Sequence, residues 1–371
     1  MSALADAARE CQRCFVCYEA LAQQRLAAEL ESLQGLLGVL PELQERFDVQ
    51  RNAAATNGAF LRGLFDSLGM PKVETNSADF DAASAIAWVN GTLTQLKREW
   101  TEAGLEERQH TFGPVIEALE RLLPVSDTAA PPRVLVPGAG LSRLPWELSL
   151  RGYDAMGVER AMSMLLVGRY IFEVLLPTTT TAAFCPFAHE CTGPCNVRRA
   201  QHLSRVLEAP GADAAAASAA ASTVSAGRPA RTIAGDFNVF ATIPESRGTW
   251  DAVASVFYVD ACGDIIGAAN AAHAALKPSG LWLCCGPLEY DGSFNAHASA
   301  VRLCGDELLL LVQRIGFEIL EQRDVPCEYT ADAESMLRMR FECLFFVARK
   351  KVVAVEVGEE AVAAPAAAAI T

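Results

Sequence analysis

Apolar positions repeat at helical spacing in the first third of the chain and in short continuous runs after it. Leu21, Leu26, Leu30, Leu33, Leu36, Leu37 and Leu40, interleaved with Gln, Arg and Glu, form a helical stripe, so residues 1 to about 65 are predicted to be helical. Cys11, Cys14 and Cys17 recur every three residues and read as one helix face; a zinc site would need a second pair that the sequence does not place at finger spacing. Met70-Pro71-Lys72 interrupts the pattern. Ser77 is the expected N-cap of a long helix through about residue 102, and another helix covers about 105–123 before Pro124 and Pro131-Pro132.

From residue 133 the period changes. Arg133-Val134-Leu135-Val136 reads as a buried strand, followed by Gly138-Ala139-Gly140 and a helix. Residues 153–158 form a second strand ending at Glu159, and 162–175 a helix. Segments 232–237, 250–260, 281–286, 317–322 and 343–348 carry the remaining strand signals, the last two as a hairpin with a long loop. Helices are expected at 263–276 and 306–315, and Lys277-Pro278-Ser279-Gly280 is expected to be a turn. Strand alternating with helix implies a mostly parallel α/β sheet with right-handed crossovers. The Ala/Ser-rich stretch near 211–230 has little to bury and reads as a mobile insertion. The expected organisation is a helical N-terminal region (1–125), an α/β domain (126–350) and a disordered tail (351–371).

Composition narrows the function classes. The 371 residues are 51% hydrophobic, enough for a large core, yet no apolar run reaches the length of about 18 residues that a membrane span needs. The N-terminus lacks the basic end and apolar centre of a secretory signal. The 12 cysteines are scattered and partly within apolar runs, which suits a reducing compartment, so a cytoplasmic location, with the nucleus as a second option, is expected. A net charge of −14 argues against nucleic acid and fits an enzyme acting on something small.

The candidate chemistry lies where strands end. The Gly138-Ala139-Gly140 turn could hold a nucleotide-like group over a helix N-terminus, and Glu159, 21 residues on from Gly138, could accept both hydroxyls of a ribose. A third glycine is missing, because Arg143 stands in its place, which weakens a dinucleotide reading. Ligands in such sheets bind outside the carboxyl ends of the strands, so Gly138, Glu159, Asp236, Asp260 and Asp291 are expected along one rim. Asp260 reads equally as an N-cap. Gln95 and Arg98 share a helix face, which spacing alone makes a solvated one. Cys185, His189, Cys191 and Cys195 could supply four zinc ligands, but their spacing fits no finger, and no metal is assigned.

Val136-Pro137-Gly138-Ala139-Gly140-Leu141, Arg143-Leu144, Trp146-Glu147, Gly235-Asp236-Phe237, Phe257-Tyr258-Val259-Asp260-Ala261, Leu276-Lys277-Pro278, Gly286-Pro287-Leu288 and Glu342-Cys343 resemble the motif set of the carnosine N-methyltransferases. Asp79-Phe80-Asp81, Gln95, Arg98 and Trp100, with Pro186-Phe187 and Asn196-Val197-Arg198-Arg199, fit the same pattern over roughly residues 20–350. The resemblance implies a class I methyltransferase, Rossmann-like, with a mostly parallel seven-stranded sheet and an added helical N-terminal region. It implies S-adenosylmethionine as cofactor and an imidazole-containing small molecule such as carnosine as substrate; the sequence leaves the assembly open, with a homodimer as one option. Carried over by position, Gly138 lies under the methionine part, Glu159 holds the ribose, Asp236 and Phe237 meet the adenine, and Val256 lines its pocket. Gln95 and Arg98 close over the cofactor, Arg98 onto its carboxylate. Asp260 meets the imidazole and orients it, and Tyr290, Asp291 and Phe341 fall on the substrate side. The sequence departs from the pattern at Asp291, where the family has His, at Met339 and Phe341, where it has Tyr, and at Ser142, where it has Gly. Asp291 would repel a substrate carboxylate and favour a cation. A catalytically silent relative that binds cofactor or a protein partner is the alternative reading.

Overall fold

The computed structural model describes residues 3–126, 130–189, 197–214, 231–290, 301–329, 332 and 334–352. Two long helices, α1 (Ala3–Ser32) and α2 (Leu43–Ser67), pair antiparallel. Arg62 reaches Glu19 (2.6 Å) near one end and Arg46 reaches Glu29 (3.4 Å) near the other. Their shared face buries Cys11, Cys14, Phe15, Tyr18 and Leu21 against Leu61, Leu64 and Phe65, so the cysteine repeat is core. The leucine stripe stops short of its predicted end. Leu36, Val39 and Leu40 are exposed, because Gly35, Gly38 and Pro41 break the helical period that would have carried them onto the packed face.

Helix α3 (Ala82–Trp100) starts four residues later than expected. Its N-cap is Asp81, whose carboxylate accepts the Ser84 N–H at 2.8 Å, while Ser77 opens a separate short turn capped by Asn76. Helix α4 (Leu105–Leu122) then lies on the sheet, with Phe112, Val115 and Leu119 in one core with Val134, Val136, Leu283 and Phe345.

The sheet elements follow in order: β1 (Arg133–Pro137), α5 (Arg143–Leu150), β2 (Asp154–Glu159) and α6 (Met162–Tyr170). After α6 the chain makes a π turn, Ile171–Leu175, rather than a continuous helix to 175. A small antiparallel pair, β3 (Ala182–Phe184) and β4 (Leu207–Ala209), stands apart from the main sheet. Then come β5 (Arg231–Ala234), α7 (Phe237–Phe240), β6 (Trp250–Val256), α8 (Ile265–Ala275), β7 (Leu276–Gly286), α9 (Gly305–Ile315), β8 (Phe317–Tyr329) and β9 (Met339–Lys350).

The seven main strands stand in the order β5-β2-β1-β6-β7-β9-β8. The ladders of β5, β2, β1, β6 and β7 are parallel, and β9 runs against both its neighbours. This is the mostly parallel, seven-stranded Rossmann-like sheet that the sequence leads one to expect. Val134, Leu135 and Val136 are all buried because helices cover both faces of the central strands. The predicted turn 277–280 is absorbed into the start of β7, and β8 and β9 are longer than their apolar runs. In both strands Val325, Cys327, Cys343 and Phe345 point inward with period two, and Pro326 is tolerated because β8 is an edge strand. From β1 the chain winds out through β2 to β5, then returns to β6 on the other side of β1. The crevice above β1 and β6 is therefore the topological switch point, where open α/β sheets bind ligands.

Candidate active site

At that switch point β1 ends in the glycine turn. Gly138 and Gly140 have φ of +60° and +55°. A Cβ on Gly138 would meet the Tyr258 ring at 2.6 Å, so the backbone there is both left-handed and crowded. Gly138→Ala is expected to weaken cofactor binding at least about tenfold, with a destabilisation of about 1–3 kcal/mol, readable by calorimetry and denaturant unfolding. Ser142 takes φ +68° without being glycine, and its hydroxyl shares a 2.6 Å hydrogen bond with Thr232 that helps hold the strained turn.

Glu159 closes β2. One carboxylate oxygen accepts the Gly140 N–H (2.9 Å), the other those of Arg160 (2.8 Å) and Ala161 (2.7 Å). Burial raises its pKa, and these three N–H groups pull the other way. Asp236 caps α7 by accepting the Asn238 N–H at 2.7 Å. The Phe237 ring meets Tyr258 edge to face at 5.7 Å. Val256 ends β6, and Phe257 after it has φ +51°, which turns its ring out of the strand to stack on Tyr329 at 5.1 Å.

The last turns of α3 form the facing wall. The Arg98 guanidinium lies 5.0 Å from the Tyr329 ring centre and 5.3 Å from that of Phe257. It donates to Gln95 Oε1 (3.4 Å) and pairs with buried Glu107 at 3.5 Å; Gln95 in turn donates to the Tyr329 hydroxyl (2.8 Å). Arg98 is only 6% exposed, so the face that spacing assigns to solvent is an interior one.

Together these elements enclose a cavity of about 570 Å³, within the range of small-molecule and cofactor sites. Gln95, Arg98, Gly138, Glu159, Asp236, Phe237 and Val256 all line it. Glu99, Phe257, Tyr258 and Tyr329 line it too and were not singled out by sequence reasoning. Phe257 and Tyr258 lie inside a quoted motif, which is the signal that could have found them.

The substrate-side candidates are placed differently. Asp260 is buried just past the cavity wall, which its neighbours Ala261 and Cys262 form. Burial pushes its pKa up to about 6, against backbone hydrogen bonds that include the N–H groups of Glu289 and Ala261. It is not the cap of the next helix: Asp264 caps α8, accepting the Gly267 N–H at 2.8 Å. Tyr290 does not line the cavity. Its φ of +51° turns it into the core, where its hydroxyl donates to the Leu303 carbonyl (2.8 Å) and accepts the Leu303 N–H (3.0 Å). Phe341 does not line it either, and stands behind Phe257 and Tyr329 at 6.1 and 6.2 Å between ring centres. Asp291 lies outside the described residues, so four of the five rim residues are placed, at the carboxyl ends of β1, β2, β5 and β6.

Of the cysteine and histidine cluster, Cys191 and Cys195 also lie outside the described residues. His189 is 2.6 Å from the Tyr18 hydroxyl, and Asn57 is bonded to both backbone groups of Cys185, which ties this segment to α1 and α2. No helix among the described residues is long and apolar enough to cross a membrane.

Comparison with known proteins finds relatives that share one name. A mouse (Mus musculus) carnosine N-methyltransferase is 29% identical over 265 residues, covering 71% of this chain and 62% of its own. One from Schizosaccharomyces pombe is 29% identical over 272 residues, covering 70% of each. A Drosophila melanogaster relative is 24% identical over 371 residues, covering 91% of this chain and 78% of its own. The chain thus spans somewhat under two thirds of the mouse relative's length. The family model described as "Carnosine N-methyltransferase" matches residues 76–352. That match runs from just before α3 to the end of β9 and takes in every wall of the cavity, and by it the chain belongs to the carnosine N-methyltransferase family.

Proposed function

We propose that this protein is an S-adenosylmethionine-dependent N-methyltransferase that methylates an imidazole nitrogen of a histidine-containing dipeptide or a related small molecule, with the conversion of carnosine to anserine as the reference reaction. The observation that carries this reading is the cavity at the switch point, into which the glycine turn, Glu159 and Arg98 converge from three separate elements. Bound S-adenosylmethionine supplies a methyl group activated by a sulfonium.

The residues present fit that group. Three backbone N–H groups fix the Glu159 carboxylate, and a carboxylate has about four lone-pair positions, so it keeps acceptor capacity for a ribose hydroxyl. Arg98 presents a planar fork of donors suited to a carboxylate. Phe237 and Val256 offer the apolar surfaces that an adenine ring needs, and Asp236, which lines the same cavity, would accept from its amino group.

Methyl transfer is an in-line displacement, so the protein's main task is positioning. Neutral imidazole has a lone pair on one nitrogen and a proton on the other. Asp260, accepting that proton's hydrogen bond, would fix the tautomer and aim the lone pair at the methyl carbon. Asp291 would border the substrate, while Tyr290, bonded to Leu303, and Phe341, behind Phe257 and Tyr329, would back that side from outside the cavity wall. The test is calorimetric titration with S-adenosylmethionine and its demethylated product, followed by labelled-methyl transfer to carnosine, histidine and other imidazoles. Absence of cofactor binding refutes the reading. Tight binding without transfer to any imidazole leaves a catalytically silent relative.

A further inference from the structure

The first turn of a helix carries backbone N–H groups without intrahelical partners, and in nucleotide-binding α/β folds a ligand phosphate commonly takes them. Here the glycine turn and the first residue of α5 give theirs to the protein itself. The Ala139 N–H goes to the Val158 carbonyl (3.2 Å), Gly140 to Glu159 (2.9 Å) and Ser142 to the Ala139 carbonyl (2.8 Å). The N–H groups of Leu141 (3.1 Å) and Arg143 (3.3 Å) both go to one oxygen of Glu99, which reaches in from α3. Every N–H from 139 to 143 is therefore spoken for, and two of the acceptors are carboxylates of residues that line the cavity.

Glu99 is held there firmly. It is 5% exposed. The next residue, Trp100, donates its indole N–H to the Leu141 carbonyl (3.1 Å), and Arg143 donates back to the Glu99 carbonyl (3.2 Å). The Arg143 guanidinium lies over the Trp100 and Trp146 rings at 5.1 and 4.8 Å. A Cβ on Gly140 would come within 2.5 Å of the other Glu99 oxygen, so turn and carboxylate are fitted to one another.

We propose that Glu99 is a positioning and specificity residue: its carboxyl group is the resident acceptor at the N-terminus of α5, holding the glycine turn in its cofactor-receiving shape and occupying the place where other cofactors would put a phosphate. This deepens the methyl-donor reading and rests on it, because S-adenosylmethionine carries no phosphate and has a cationic centre. A dinucleotide would have to displace a buried carboxylate and face a second one.

The experiment compares Glu99→Ala and Glu99→Gln with the unaltered chain. In Glu99→Ala, affinity for S-adenosylhomocysteine should fall about tenfold or more, as expected when buried donors lose their acceptor. Sodium formate should restore affinity and raise the melting temperature of that variant, while leaving the unaltered protein unmoved. Inorganic phosphate should compete with formate in Glu99→Ala only. Glu99→Gln keeps an acceptor oxygen in place, so its affinity should stay within about threefold and show no formate response.

Full affinity in Glu99→Ala, or no formate effect on it, overturns the proposal. If Glu99→Ala does not fold, a loss above tenfold in Glu99→Gln, or phosphate binding by it, overturns it instead. Should the unaltered protein bind no S-adenosylhomocysteine, the methyl-donor reading fails, and the formate-dependent melting shift of Glu99→Ala still decides whether Glu99 fills the anion position.

Discussion

Replacing Asp260 by asparagine is expected to cut turnover by about 10²–10⁴-fold while cofactor affinity stays within about threefold. Asparagine keeps the volume and one acceptor oxygen but loses the charge, and it can present an NH2 where an acceptor is needed. An imidazole meeting that donor would be held in the opposite tautomer, with its proton toward the methyl carbon. Alanine should behave like asparagine in turnover, since what matters is the lost acceptor. Cofactor affinity is the control, because Asp260 is not on the cavity wall while Glu159, Asp236 and Arg98 are. Equal losses in turnover and affinity would mean that Asp260 supports the loop after β6 and has no role in orienting substrate.

The pH profile gives a second reading of the same residue. Asp260 is buried with Glu289, Tyr290, Cys262, Cys284 and Cys343 within electrostatic reach, and its pKa is pushed up to about 6. The proposed reaction requires Asp260 ionised and a substrate imidazole neutral, and an ordinary imidazole loses its proton near about 6.5. Below about pH 6, log(kcat/KM) should therefore rise with a slope approaching two, and Asp260→Asn should keep only the single slope of the imidazole. Stability should move the opposite way. A carboxyl whose folded pKa lies above its unfolded value stabilises the fold fully below the unfolded value, and that contribution is lost as pH rises through about 6. Asp260→Asn should thus melt at or above the unaltered protein at pH 8, and the gap should close toward pH 4.

What the sequence makes legible follows from how local each signal is. Val134, Leu135 and Val136 read as strand because a parallel strand covered on both faces needs a continuous apolar run. Glu159 and Asp236 stand out because each follows directly on a strand signal, and the switch point needs only the order of strands and helices. Glu99 is different: its partners are N–H groups 42 and 44 residues further on, and nothing in spacing announces that. Tyr329 sits on an edge strand interrupted by Pro326, which reads locally as loop. Ser77 and Asp81 are both good caps, and the choice between them fell to the tertiary placement of α3. Arg98 shows the limit of helical spacing most plainly. Polar residues three apart normally face water, but α4 and β8 close over this pair, and the family resemblance carried the information that periodicity lacked.

Arg98 is also where binding and stability meet. Arg98→Ala is expected to lower affinity for S-adenosylmethionine about 100-fold through loss of the carboxylate fork, and to destabilise the protein by about 3–5 kcal/mol. The second effect follows from its ion pair: Glu107 is 3% exposed and would lose the cation 3.5 Å away, leaving a charge desolvated without that compensation. The Phe112, Phe257 and Tyr329 rings would also lose the guanidinium that lies 5.0–5.8 Å from their centres. Two further variants separate these terms. Arg98→Lys keeps a cation for Glu107 and should recover part of the stability, but a single ammonium cannot reproduce the planar pair of donors, so affinity should stay at least about tenfold down. Combining Arg98→Ala with Glu107→Gln should recover stability in urea unfolding and leave affinity as low as in Arg98→Ala alone. If that double variant binds as tightly as the unaltered chain, or if Arg98→Ala loses stability but no affinity, then Arg98 is a strut between α3 and α4, and the carboxylate of the methyl donor must be gripped elsewhere.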